Sequence, residues 1–271
     1  MFVAVVLPVF LIVPFLLWAL IVMHNTATKP LLLTHIPPVD SKQAVLLVTA
    51  HPDDECMFFS PTLLSLAKTT ELYVLCLSTG NAQGLGRIRE KELTASCKKL
   101  GISNASHVEC IDHRKLPDSM TQEWDFDVIL DHVASHILAK KIDAIITFDD
   151  YGVSGHTNHR AIYHAMKQGK YTGKISIPVY SLESVSVLRK FSFLLDVCCT
   201  YMANIWVKQS ESNGAIVSLN NPTRHVFVAN MKEYKAGREA MFEHASQLVW
   251  FRHLYLVFSR YMIVNTLKLV E

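Results

Sequence analysis

The chain has 271 residues, of which 50% are hydrophobic and 18% charged. At about 150 residues per domain this length fits one large domain, and the composition supplies a full core, which excludes disordered, collagenous and mucin-like architectures. Lys+Arg 26 against Asp+Glu 24 leaves a formal net charge of +2, so no basic excess points to a nucleic-acid partner.

From Met1 to Met23 there is no charged residue. Such a run spans roughly 34 Å as a helix, enough to cross a hydrocarbon core of about 30 Å. Residues 1–24 therefore read as one N-terminal transmembrane helix. A cleaved signal peptide is the rival, but the basic start it needs is missing and the run is too long for it. Lys29 and Lys42 follow the span and no Lys or Arg precedes it, which places the rest of the chain in the cytosol. The six cysteines form no CxxC pair and fit reduced thiols in that compartment. Residues 25–43, with Pro30, Pro37 and Pro38, read as a linker.

The globular part is expected over residues 44–271. Ala44–Ala50 is a continuous apolar run of the kind found in a strand buried on both faces. A helix is expected over Cys56–Lys68, a strand over Leu72–Ser78, and a charged helix from Arg87 to Leu100 that Gly101 stops. Val108–Ile111 reads as a strand, Trp124–Lys140 as a helix, Ala144–Phe148 as a strand, and the segment after His156 as a helix. This alternation predicts a Rossmann-like α/β domain: an open, mostly parallel sheet with helices on both faces and a ligand crevice beyond the carboxyl ends of its strands.

From Ser176 the pattern is less regular. The apolar segment Val187–Val207 is broken by Arg189, Lys190 and Asp196, which argues against a second spanning helix. The last forty residues read as helical. Trp250, Phe251, Arg252, Tyr255, Phe258 and Tyr261 mix aromatic and basic groups as interfacial membrane helices do, with a core-packing helix as the equal alternative.

The chemistry concentrates at two strand ends. His51-Pro52-Asp53-Asp54-Glu55 follows the first strand and Gly152-Val153-Ser154-Gly155-His156-Thr157-Asn158-His159 follows Ala144–Phe148. One imidazole and three carboxylates beside a buried strand are poorly solvated, and a bound divalent cation offsets that. Three His/carboxylate ligands with one open position are what a catalytic zinc requires. The competing reading makes the first cluster a capping loop, with Asp53 or Asp54 receiving the first amides of the next helix. Other catalytic patterns are absent: Ser154 lies in no GxSxG elbow and Gly80 to Gly86 forms no phosphate loop. Asn81 and Arg89 are candidates to line a substrate's sugar-phosphate end. The alternative for Arg89 is a helix-surface pair with Glu92.

With these motifs, Thr147-Phe148-Asp149, Arg89-Glu90-Lys91-Glu92-Leu93, Leu188-Arg189-Lys190, Gln247 to Arg252 and Phe258 to Met262 also resemble the metal-dependent de-N-acetylases that act on N-acetylglucosaminyl conjugates. The resemblance implies zinc, or another divalent metal, held by His51, Asp54 and His159. It further implies Asp53 as general base, His156 at the oxyanion or the departing amine, and Asp149 and Asn158 in support. The implied substrate is a membrane glycolipid at the endoplasmic reticulum, reached by a chain that meets the membrane through its N-terminal helix and its C-terminal aromatic helix. Two rivals stay open: a metal hydrolase of another substrate, such as a phosphoesterase, and an inactive tethered scaffold.

Overall fold

The computed structural model describes residues 13–20, 42–200, 202 and 224–271. Seven strands form one sheet: β1 (Ala44–Thr49), β2 (Glu71–Cys76), β3 (Val108–Cys110), β4 (Ala144–Phe148), β5 (Val179–Leu182), β6 (Arg224–Val228) and β7 (Val264–Leu269), in the spatial order β3-β2-β1-β4-β5-β7-β6. Strands β1 to β5 pair in parallel, and β7 runs antiparallel to both β5 and β6. Every side chain of β1 and β4 is buried, which explains why both read as unbroken apolar runs.

The helices are α1 (13–20), α2 (Asp54–Phe58), α3 (Ser60–Leu66), α4 (Gly86–Lys99), α5 (Phe126–Lys140), α6 (Gly152–Gly155), α7 (Thr157–Tyr171), α8 (Val187–Lys190), α9 (194–200), α10 (Met231–Glu243) and α11 (Trp250–Phe258). Helices α2, α3 and α4 pack with α10, while α5 packs with α7. Growth of the sheet from β1 towards β3 and then from β4 towards β5 sets these two groups on opposite faces, because parallel crossovers are right-handed. The reversal falls between β1 and β4, where a crevice opens.

Two expectations need correction. The last forty residues are not all helical, because β7 enters the sheet between β5 and β6. Its polar Asn265 is buried and satisfied from elsewhere: Nδ2 donates to Phe58 O at 2.9 Å and Oδ1 accepts the Thr62 hydroxyl at 2.8 Å. The helix expected over Cys56–Lys68 is two helices, broken at Phe59 where Pro61 fits only the first turn of α3. Of the membrane helix expected over residues 1–24, only residues 13–20 are described. Among the described residues no helix is long and apolar enough to cross a membrane. The described part, α1, lies against the domain, with Trp18 buried beside Val197, Ile263 and Val264 and its Nε1 donating to Ala229 O at 3.0 Å. The rest of that segment, and residues 25–41 of the linker, lie outside the described residues.

In the apolar segment after Val187, Arg189 donates to Asp196 from Nε at 2.6 Å and Nη2 at 3.2 Å, so both charges are tied within the fold.

Candidate metal centre

Strand β1 ends at Thr49, and beyond it the chain turns sharply through His51 into α2. Asp54 holds the turn: its Oδ2 accepts the backbone N–H groups of Ala50 at 3.0 Å and His51 at 2.8 Å. The carboxylate therefore reaches back to the strand instead of capping the helix. Asp53 does not cap either, for it makes no side-chain bond to the first turn. Its φ of 108° is strained for a residue with a Cβ. The strain is held by Glu55, whose Oε2 accepts the Asp53 N–H at 3.0 Å and whose Oε1 takes the Ser96 hydroxyl and lies 2.7 Å from His244 Nε2. Gln247 Nε2 donates to Pro52 O at 2.8 Å, a second brace on the same turn.

The neighbouring strand β4 delivers the second half. Asp149 accepts the Gly152 N–H at 2.9 Å and both the N–H and hydroxyl of Ser184, at 2.6 and 2.5 Å. This fixes Gly152, whose carbonyl lies 3.0 Å from His159 Nδ1. His159 Nε2 then comes to 3.2 Å from Asp54 Oδ1, and His51 Nδ1 stands 3.9 Å from Asp54 Oδ2. One ligand atom from each of His51, Asp54 and His159 lies within 4.8 Å of the other two. His159 Nε2 is buried and, despite its nearness to Asp54, makes no hydrogen bond. A buried nitrogen without a hydrogen-bond partner, facing a carboxylate and a second imidazole, fits a divalent cation.

Electrostatics agree. Burial pushes His51 down to about 4, so it is neutral, as a ligand must be. Burial works to raise Asp54, but the charges of His159 and His51 hold its carboxyl well below the usual range. Burial works to lower His159, but the Asp54 charge in turn raises it, so a cation binding there displaces the His159 proton. Burial raises Asp53 to about 7, with the Arg252 guanidinium 2.5 Å from its Oδ2 acting in the opposite direction. A carboxylate of that basicity suits a general base at neutral pH.

The turns open into a cavity of about 350 Å³ lined by His51, Asp53, Asp54, His156 and His159, with Arg89, Asp118, Phe251 and Arg252 around them. His156 is lowered by burial, and its Nδ1 accepts the Asn158 N–H at 3.2 Å, which assigns its proton to Nε2. Asn158 is wholly buried and its Nδ2 lies 3.0 Å from His51 Nε2 and 3.1 Å from Pro117 O. Asp149 fastens the β4 loop and so acts on His159 through Gly152. Arg89 is buried, bonded to Gly80 O and to Gln83, and not paired with Glu92, which accepts from Ser246. Asn81 accepts the Gly86 N–H at 2.9 Å and braces the loop before α4.

Three partners escape sequence reading. Asp118, 3.3 Å from His51 Nε2, sits in a loop with no regular pattern. His244 is one of thirteen histidines with no flanking motif. Arg252 was visible in an aromatic and basic helix and in a stretch that resembles the de-N-acetylases, but with no role attached to it.

Both turns fall within residues 46–169, which match the family model described as GlcNAc-PI de-N-acetylase (PIG-L). An N-acetylglucosaminyl-phosphatidylinositol de-N-acetylase of Bos taurus is 42% identical over 226 residues, covering 82% of this chain and 82% of the relative. The chain belongs to this de-N-acetylase family. A probable de-N-acetylase of the same name from Schizosaccharomyces pombe is 39% identical over 83% of this chain and 86% of its own. Among solved structures, the zinc-inhibited form of teicoplanin deacetylase matches with a TM-score of 0.55 at 13% identity, over 84% of this chain and 98% of that one. That likeness concerns the fold. For this de-N-acetylase family member the chemistry rests on the side chains at the ends of β1 and β4.

Proposed function

We propose that this chain hydrolyses the acetamide of N-acetylglucosaminyl-phosphatidylinositol to glucosaminyl-phosphatidylinositol and acetate, an early step in glycosylphosphatidylinositol anchor synthesis at the endoplasmic reticulum membrane, with its catalytic domain facing the cytosol. The observation that carries the reading is the unbonded His159 Nε2 beside Asp54 and His51, with the basic Asp53 one residue away. His51, Asp54 and His159 would hold the divalent cation, and zinc suits a set of two imidazoles and a carboxylate. When bound, the ion supplies Lewis acidity and lowers the pKa of water.

The chain's own groups do the rest. Asp53 accepts a proton from the water that adds to the acetamide carbon. Arg252 steadies its carboxylate. His156 donates from Nε2 to the developing oxyanion. When the C–N bond breaks, the amine takes the proton that Asp53 removed from the water, and acetate leaves. Arg89, a guanidinium on the cavity wall, offers a fork for the substrate phosphate. The retained base, ligand set and donor favour an enzyme over an inactive scaffold.

The test is acetate release from the glycolipid by purified protein before and after chelation, with phosphate assayed in parallel and zinc added back in steps beyond one equivalent. Chelation should abolish acetate release and the first equivalent of a divalent ion should restore it. Phosphate release without acetate would assign the site to a phosphoesterase.

A further inference from the structure

Helix α11 buries Tyr255 and Leu256 against the domain, yet most of its remaining surface is also apolar, with His253 the exposed polar residue. Trp250 is 74% exposed, and Phe251, Leu254, Val257 and Phe258 are each 45–54% exposed. The helix is not remote from the site, because Phe251 and Arg252 line the cavity and Val249, its N-cap, lines it too. Beside α11 stands α8, where Val187, Leu188 and the adjoining Phe191 are exposed. Lys190 ties α8 to the site: its Nζ lies 5.9 Å from the ring centroid of Phe58, a cavity residue, and 3.5 Å from Val153 O. The two segments touch through the Phe191 and Tyr255 rings, 6.3 Å apart, and through the Phe193 N–H donating to Phe258 O at 3.1 Å.

The apolar surface continues to the amino end of the chain. Phe193 and Leu194 pack on the Trp18 cluster, and the outer side of α1 exposes Val13, Phe15, Leu16 and Leu20. Helix α1 belongs to the charge-free run from Met1 to Met23. Cations on this edge are engaged: Arg252 with Asp53, Arg189 with Asp196, and Arg260 with Asp196. An exposed apolar tract of this extent marks an interaction surface, and the missing countercharge leaves hydrophobic burial as the driving force.

We propose that α11, α8 and α1 form one bilayer-docking face, so that substrate enters the cavity sideways from the membrane surface and not from bulk water. This rests on the proposed glycolipid substrate, whose acyl chains stay in the bilayer while the sugar must reach the ions' ligands. Aromatic and aliphatic groups beside the mouth then occupy the headgroup–acyl boundary, where Trp residues settle.

The experiment uses the full chain in phosphatidylcholine vesicles whose acyl chains carry bromine near or far from the headgroup. The fluorescence of the wild type minus that of Trp250→Phe isolates Trp250 from the other three tryptophans of the chain. The expected result is quenching of that difference signal by lipid bromines, stronger for the shallow position, with little quenching by aqueous iodide. Iodide quenching without bromine quenching overturns the proposal. A Trp250→Glu, Leu254→Glu variant should raise KM for vesicle-borne glycolipid about tenfold or more, the loss of about one buried apolar side chain, while turning over a chain-free N-acetylglucosaminyl-inositol phosphate as the wild type does. Equal loss on both substrates also overturns it. Bromine quenching in a protein that releases no acetate would support the docking face and reject the deacetylase reading.

Discussion

His244 Nε2 meets Glu55 Oε1 at 2.7 Å with both side chains wholly excluded from solvent. Glu55 in turn accepts the N–H of Asp53, so this buried pair supports the strained backbone that carries the proposed general base. His244→Ala leaves the Glu55 carboxylate buried without its partner. The expected loss is about 3–5 kcal/mol in unfolding free energy, the range for breaking a buried ion pair. Denaturant titration measures it, and an unchanged midpoint would show that the pair contributes nothing.

Arg252 stands beside Asp53, and its charge lowers the carboxyl that burial raises. Asp53 must be ionised to take a proton, so activity falls as pH drops through its pKa. With Arg252→Gln the largest opposing charge is gone, the carboxyl rises further, and the acid limb of kcat/KM should move to higher pH. Arg252→Lys should return the limb part of the way. A pH–rate profile decides, and identical limbs in all three proteins would detach Arg252 from the base.

Asp118 reaches His51 Nε2 at 3.3 Å, on the side of the ring away from Asp54. Carboxylates placed so orient a ligating imidazole. Asp118→Asn should weaken metal affinity or activity about 10–100-fold. Competition with a chelator of known affinity gives the number.

Gly152 has φ +64°, and a Cβ there would lie 2.7 Å from the Cβ of His159. Gly152→Ala should push His159 from its place and add strain of about 1–3 kcal/mol. Metal content per mole of purified protein should drop with it, whereas full loading at wild-type stability would contradict the crowding.

The fold was legible where burial is complete. Strands β1 and β4 read directly because both of their faces are covered, and the two ligand turns follow from where those strands end. Strand β7 was hidden by Asn265 and Thr266, which are buried polar residues in a strand interior. Pairing of Asn265 with Phe58 and Thr62, over two hundred residues away, is a tertiary fact that no local pattern carries. Among site residues the two motifs announced themselves, since several chemically demanding side chains crowd into a few positions. Asp118, His244 and Arg252 were illegible for the opposite reason: each is a lone residue in its segment, brought in by the fold.

The two ligand-bearing turns leave adjacent parallel strands, yet they are separated by roughly a hundred residues of chain. An ion gripped between them is a reversible clasp across the waist of the sheet. Thermal resistance of the folded chain should then climb with free ion concentration above its dissociation constant, by about 1.4 kcal/mol for each tenfold increase. A cell short of that metal would lose standing protein as well as turnover.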